Sequence, residues 1–500
     1  MAEERSIWLS SSQLSSKTCE SGSVDGGATT TKSTQRSLIE VYTESTQSSP
    51  IQPYKQYKRR WFVLFALCVL GFLNNAFPFC YASVANLVDE YYCQAGHCNA
   101  ANWHVVTYMV AASAAVLVGI WGVQRAGIRK SFLCGSCALI IGLIMRLVTT
   151  FSSVPVPVRL PLALFGQVVG SVSEPVFRFL PTQVAEEWFM PDQRVLATSL
   201  AVMIAFMGQL VIAVVAPLIV VPGSLENIGE RLFYLNYMLA MITTLTTIAT
   251  VILMPHSHPP TPPSLSASQP VVPFKKAVKS LVRNKDFIIL TLCSSGMTGF
   301  LGCFMTTIQQ IVCASGYTDI YVGIFAATSG LGGLVGSVIF ALFIDKTKLF
   351  VEVLKVNLML TVAFVGSLLA TLTYPDLHTQ IIINSFFFGL FSLSAISIAL
   401  ELIVECTYPI SQSLVVGLFY LCLQIWLVSG IIIMQSIRQP ATEEQLFIEV
   451  CSDTGVEDTS IRPNNWLGSF LLFVVMETVF SFTIIFFFKG QYKRLSLEQL

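Results

Sequence analysis

The sequence predicts an all-α membrane protein, with twelve transmembrane helices in two six-helix bundles and both termini cytoplasmic. Three observations carry that reading. Of 500 residues, 54% are hydrophobic and 12% charged, with a mean hydropathy of +0.68, leaving too little polar surface to cover a soluble core of this size. The apolar residues form twelve long runs, each meeting the roughly 20 residues a helix needs to cross about 30 Å of hydrocarbon. Six runs precede, and six follow, the polar stretch PHSHPPTPPSLSASQPVVPFKKAVKSLVRNKD at residues 255–286.

That stretch divides the chain. Its Pro- and Ser-rich first half cannot hold a regular helix, whereas its second half sets Lys275, Lys276, Lys279, Arg283 and Lys285 on a short amphipathic helix. The expected plan is a disordered tail over 1–54, a six-helix bundle over 55–254, a linker over 255–285 and a second bundle over 286–495. The tail is rich in Ser and Thr without apolar periodicity. It is too long and polar before its first apolar run to be a cleaved signal peptide.

In order, the runs occupy 61–88, 103–122, 131–150, 160–185, 195–221 and 232–254, then 287–313, 321–344, 349–372, 381–404, 414–435 and 466–488. They are continuous rather than alternating, which in lipid means helices rather than barrel strands. Orientation follows from the connections. One side collects Lys55, Lys58, Arg59, Arg60, Arg125, Arg129, Lys130, Arg194, the five linker cations, Lys346, Lys348, Lys355, Lys489, Lys493 and Arg494; the other collects only Arg159, Arg231, Arg438 and Arg462. The positive-inside rule makes the first side cytoplasmic.

Most of the thirteen cysteines lie inside apolar runs and act there as small hydrophobes. Cys93 and Cys98, near His97 and His104, invite a metal reading, but no second pair at zinc-ligand spacing accompanies them, which leaves a loop disulfide or free thiols. No cofactor or metal is expected. The zero net charge and the lack of a basic domain outside the loops exclude nucleic-acid binding, and no phosphate loop or soluble catalytic domain points to an enzyme.

Two six-helix halves joined by a cytoplasmic linker resemble the plan of a major facilitator transporter, whose halves rock about a midplane site. The short charged turn Asp345-Lys-Thr-Lys348, preceded by Gly330, Gly332, Gly333 and Gly336, fits the turn that joins the second and third helices of a half. Close helix packing alone also explains those glycines. In the first half the equivalent turn spans residues 122–130, with Gln124 where the superfamily motif has an acid. A narrower resemblance lies in ALELIVECTYP at 399–409, which is similar to the F-E-x-x-V-E-x-x-Y-P pattern of solute carrier family 49. YKRRW at 57–61, LNNAF at 73–77 and Trp188-Phe189 match the same family. APLIVVP at 216–222, the Pro-rich linker and QYKRL at 491–495 resemble its member 4 branch.

The resemblance implies a monomeric, multi-pass carrier of a small organic solute. For the member 4 branch it implies proton-coupled transport of vitamin B6 (pyridoxine) in the lysosomal membrane. For the receptor-type branch it implies choline, ethanolamine or haem, with the plasma membrane as the alternative location. Choline carriers cage the ammonium with a Trp by cation-π contact; here that position falls near Phe79, with Tyr81 as neighbour.

Polar residues inside apolar runs are costly and usually face the bundle interior. Glu174 and Arg178 are four apart and share a helix face, which fits either a proton-exchanging pair or a structural one. Glu401 and Glu405, also four apart, put two like charges on one face and suit a proton site. Glu401 is the expected coupling or gating residue, together with Glu174, Arg178 and Asp345, while Glu405 is expected to face water. Glu477, alone in the last run, is left open between protonation against lipid, pairing with another helix and a feature of this branch. For an aromatic or cationic solute the expected contacts are Asn74, Asn75, Phe79, Tyr81, Gln209, Gln309, Gln310, Tyr420 and Gln424; each amide could equally bridge helices. A receptor or scaffold that does not transport is the alternative from another class.

Overall fold

The protein is described by a computed structural model covering residues 57–93, 100–221, 223–254, 256–261, 263–264, 273–314, 319–373, 377–437, 439–440, 464–490 and 492–498. The expected tail and linker residues 265–272 lie outside it. Residues Tyr54–Leu500 cluster as one compact unit.

Among the described residues, twelve helices are long and apolar enough to cross a membrane: Arg59–Val84, Trp103–Val123, Arg125–Val148, Val156–Trp188, Arg194–Ile219 and Leu225–Leu253, then Lys285–Met305, Gly323–Thr347, Phe350–Leu372, Thr379–Thr407, Gln412–Met434 and Leu467–Phe487. They are called the first to twelfth spans below. Among the described residues the strand content is one antiparallel ladder pairing Gln439 with Asn465 and Pro440 with Asn464.

The fourth span is two helices, Val156–Ser171 and Ser173–Trp188, meeting at Val172. Pro175 cannot donate to the carbonyl of Ser171 four residues back, and its ring crowds that turn. The helix is therefore interrupted just before Ser173, which begins the second piece and sets Glu174 in its first turn.

The second and third spans lie in one helical stretch, Ala100–Val148, interrupted near the start of the third span at Gly127. Gly127 has φ 74° and ψ 169°, a conformation that L side chains rarely adopt, while helix continues on both sides. The third span is capped from the linker, its Arg129 N–H donating to Ser257 Oγ at 3.2 Å. Lys348, with φ 60°, occupies the matching turn of the second half, and its Nζ donates to the Pro191 carbonyl at 2.6 Å.

Packing in lipid comes from close approach, because the surrounding tails are as apolar as the side chains. A Cβ at Gly332 or Gly336 would overlap the carbonyl of Phe386 or Leu390, so these glycines let the eighth and tenth spans touch backbone to backbone. One buried apolar cluster includes residues of both halves; a second, around Phe77, Tyr81 and Tyr108, fills the end of the first half remote from the linker.

The start of the linker is fastened to the first half. Trp188 Nε1 donates to the Ser257 carbonyl at 3.2 Å, the Tyr57 and Thr261 hydroxyls lie 3.2 Å apart, and His258 Nδ1 sits 2.8 Å from Glu187 Oε2. Farther on, the helix Phe274–Leu281 buries Ala277 and Leu281 and exposes Lys275, Lys276 and Lys279.

Two predictions follow from these fastenings. The hydrogen bond to Glu187 raises the pKa of His258, so the contact's stabilisation is complete below the ordinary histidine value and is lost as pH rises through the raised one. His258→Gln should lower the melting temperature of purified protein at pH 6 and leave it unchanged at pH 9. Gly127→Ala should cost about 1–3 kcal/mol, read as a lower melting temperature, because positive φ with ψ near 180° is a backbone conformation almost confined to glycine. Gly122→Ala, where an added Cβ meets nothing within 4 Å, should not.

Candidate functional site

A charge carried into the hydrocarbon region must find its compensation nearby, so the buried ionic groups trace the interior of the bundle. The first group centres on Glu174. Its Oε2 accepts from Asn74 Nδ2 at 2.6 Å, and its Oε1 from Arg178 Nε at 2.7 Å. The Tyr108 hydroxyl lies 3.0 Å from Glu174 Oε2 and 3.1 Å from Asn74 Oδ1, and the Ser173 hydroxyl donates to Asn74 Oδ1. The first, second and fourth spans are thus tied through one carboxylate.

Arg178 carries this node toward the second half. Its Nη2 donates to Asn75 Oδ1 at 2.9 Å, its guanidinium stands 5.3 Å from the centre of the Tyr420 ring on the eleventh span, and its side chain is 29% exposed against 5% for Glu174. The open charge of the node is therefore cationic. Gln424 lies one turn beyond Tyr420 on the same face, buried, and its Oε1 has no hydrogen-bond partner among the described residues. Asn74, Asn75, Glu174, Arg178 and Tyr420 are therefore assembled together, with Gln424 a turn away.

The other expected contacts are placed differently. Gln209 is half-buried on the fifth span. Phe79 is half-buried against the cluster at the remote end. Tyr81 is fully buried there, its hydroxyl accepting from Asn236 Nδ2 at 2.7 Å and its ring 4.0 Å from the Arg146 guanidinium carbon. The side chains of Gln309, Gln310 and Gln124 lie outside the described residues. Cys93 is disulfide-bonded; Cys98 lies outside the described residues.

A second ionic group closes the linker end. Asp345, from the eighth span, accepts from the backbone N–H groups of Val195 at 3.2 Å and Leu196 at 3.0 Å. These are orphan donors at the N-terminus of the fifth span, where an anion is favoured. The Thr198 hydroxyl donates to Glu401 Oε1, and Gln412 donates to Glu186 Oε2, again pairing the two halves.

Glu401 is also bonded to Arg494 Nη2 at 3.0 Å, and Glu405 to Arg494 Nε at 2.8 Å and the Leu495 N–H at 2.6 Å. Glu405 is thus buried rather than facing water, because the short helix Lys493–Glu498 folds back over the tenth span. Arg494 sits between two carboxylates that by themselves would repel. Burial works against its charge, but Glu405 and Glu401 outweigh that and raise its pKa above the ordinary value.

Reasoning from the sequence missed Tyr108, Ser173, Thr198, Glu186 and Gln412 as partners, and used Arg494 only for orientation. Each lies far along the chain from its partner; an isolated hydroxyl or amide in an apolar run does not disclose which span it faces.

The Major Facilitator Superfamily model matches residues 99–431. The chain belongs to the major facilitator superfamily. An uncharacterized Caenorhabditis elegans protein is 32% identical over 444 residues, covering 89% of this chain and 85% of its own length. Solute carrier family 49 member A3 of Danio rerio is 28% identical, covering 88% and 90%. The choline/ethanolamine transporter FLVCR2 of Homo sapiens is 25% identical, covering 74% and 70%. These relatives are in keeping with the family 49 resemblance and do not single out its member 4 branch.

Among solved structures, the E. coli fucose:proton symporter superposes with a TM-score of 0.61 at 11% identity, covering 85% of this chain and 98% of its own. A proton:xylose symporter gives 0.62 at 10%, covering 88% and 99%. At such identities the likeness concerns the facilitator fold alone. This superfamily consists of membrane transporters, not enzymes, and the chain is a multi-pass transporter of that kind.

Removing one partner of a buried ionic group is more damaging than removing both. Arg494→Ala leaves Glu401 and Glu405 uncompensated and should cost about 3–5 kcal/mol. Adding Glu401→Gln and Glu405→Gln to that variant should restore most of the melting temperature, and a triple variant no more stable than the single one would contradict this assignment.

Proposed function

We propose that this facilitator moves a small organic solute by alternating access, its two halves rocking about a site built on Arg178, Asn75, Tyr420 and Gln424, and that the solute is pyridoxine, carried with protons. The observation that carries the reading is the Arg178 guanidinium, pinned by Glu174 yet partly open beside an aromatic ring of the opposite half. A cationic site wall disfavours a fixed quaternary ammonium. It suits a flat hydroxylated ring, which can stack on Tyr420, accept from the guanidinium and donate to Gln424 Oε1.

Rocking would break the contacts of Asp345 with the fifth span and of Thr198 with Glu401, since these cross between halves, and leave the Glu174 node intact within the first. In this reading residues 55–254 and 286–495 are the moving bundles, 255–285 their cytoplasmic linker, both termini are cytoplasmic, and the carrier works as a monomer in the lysosomal membrane, with the plasma membrane as the alternative. The named choline/ethanolamine relatives favour a second reading in which the solute is choline or ethanolamine.

Labelled pyridoxine and choline uptake, measured at acidic and neutral external pH in cells carrying the protein at the surface, separates the two readings. We expect pyridoxine uptake to exceed choline uptake and to rise as external pH falls. Glu401→Gln should flatten that pH dependence while leaving expression intact; unchanged pH dependence would remove Glu401 from coupling. Surface-expressed protein that moves neither solute would favour a receptor or scaffold.

A further inference from the structure

Glu477, midway along the twelfth span, has no part in either ionic group. It is 3% exposed and lines a cavity of about 20 Å³ bordered by residues of the seventh, ninth, tenth and twelfth spans of the second half. Ser294, Thr298 and Ser392 line the same cavity, and its remaining wall is Met297 and aliphatic side chains. The hydroxyls of Ser294 and Ser392 are buried, in residues 6% and 8% exposed, and neither has a hydrogen-bond partner among the described residues. Thr298 donates to the Ser294 carbonyl at 2.8 Å, which leaves its oxygen able to accept.

This is a mostly apolar cavity into which four oxygen-bearing side chains are brought, and it is too small for an organic solute. A buried carboxyl needs a neutralising partner, and no cationic side chain lines the cavity among the described residues. Nor does a titratable group reach it from the packed elements. Cys293 and Cys303 on the seventh span, Glu352 and Lys355 on the ninth, Glu401 on the tenth, and Tyr420 and Cys422 on the eleventh are all outside its wall. Glu401 is already held by Thr198 and Arg494.

Two monatomic occupants could neutralise Glu477. A dehydrated alkali ion asks for several converging oxygens at once; besides Glu477 the wall offers three hydroxyls, one of them, on Thr298, already donating to the Ser294 carbonyl, so sodium is the competing occupant that the test must exclude. A proton asks only for the carboxyl itself and one acceptor, met directly or through a single water, which a space of about 20 Å³ can hold.

We propose that the Glu477 cavity is a proton-binding site in the second half, with Ser392, Ser294 or Thr298 accepting from the protonated carboxyl, and that its loading couples proton movement to the rocking of the halves. The site is distinct from the solute site around Arg178. Its coupling role rests on the transport reading above; its proton occupancy does not.

The test has two arms, both on full-length protein in lipid. In the first, infrared difference spectra are recorded while pH is stepped, without any solute. Wild type should show a carbonyl band of a buried protonated carboxyl that Glu477→Gln lacks, and Ser392→Ala should shift the band without removing it. Identical spectra for wild type and Glu477→Gln, or a band that vanishes on adding sodium at constant pH, would overturn the proton site.

In the second arm, proteoliposomes are loaded under an imposed pH gradient with labelled pyridoxine as the probe. One proton per solute supports up to about tenfold accumulation per pH unit. Glu477→Gln should fall to simple equilibration, a ratio of about 1, while still exchanging labelled for unlabelled pyridoxine. Retained accumulation in Glu477→Gln would overturn the coupling role. If wild type moves no pyridoxine, the solute assignment fails, and the infrared arm still decides the site.

Discussion

The fold is organised by one constraint: a charge placed among hydrocarbon chains must be answered within hydrogen-bond reach, since neither water nor salt is there to screen it. Glu174 is answered by Asn74, Tyr108 and Arg178, and Glu401 and Glu405 share Arg494. Asp345 is answered by backbone N–H groups rather than by a cation. Arg146 is held by the Phe77 carbonyl at 2.8 Å, by Cys80 Sγ at 2.6 Å and by the face of Tyr81. Each solution fixes one helix against specific others, alongside the glycine seams that let spans such as the eighth and tenth touch.

The location of each solution decides its mechanical meaning. The hydrogen bonds of the Glu174 node and the Arg146 box lie inside the first half, with only the Arg178–Tyr420 ring contact reaching across, and those of the Arg494 clamp lie inside the second; these bonds would survive a motion of one half against the other. The contacts of Asp345 with Val195 and Leu196, of Lys348 with Pro191, and of Thr198 with Glu401 cross between halves. These are hydrogen bonds to main chain or single hydroxyls, which water could replace if the linker end opened. By contrast, the eighth and tenth spans meet at glycines whose neighbours leave no room for a methyl group. Stiffness within halves and exchangeable contacts between them are what an alternating-access machine requires.

Much of the plan was legible along the chain because it depends on length and local spacing. A run of about 20 apolar residues states that a helix crosses the bilayer, residues four apart state that Glu174 and Arg178 share a face, and a proline states where a helix bends. Partner choice was not legible. Tyr81 is packed under Arg146, and Glu405 is closed off by a helix that begins only after the last span.

By itself the sequence determined the membrane class, twelve spans and the Glu174–Arg178 pair, all consequences of period and length. Only the tertiary structure decided that Asn74 meets Glu174 a hundred residues away, that Thr198 meets Glu401, and that Glu477 shares a cavity with Ser294 and Ser392. The reason is the solvent. In water a helix marks its buried face by apolar periodicity, but in lipid the outward face is apolar too, so the pattern that would name each helix's neighbours is erased from the chain.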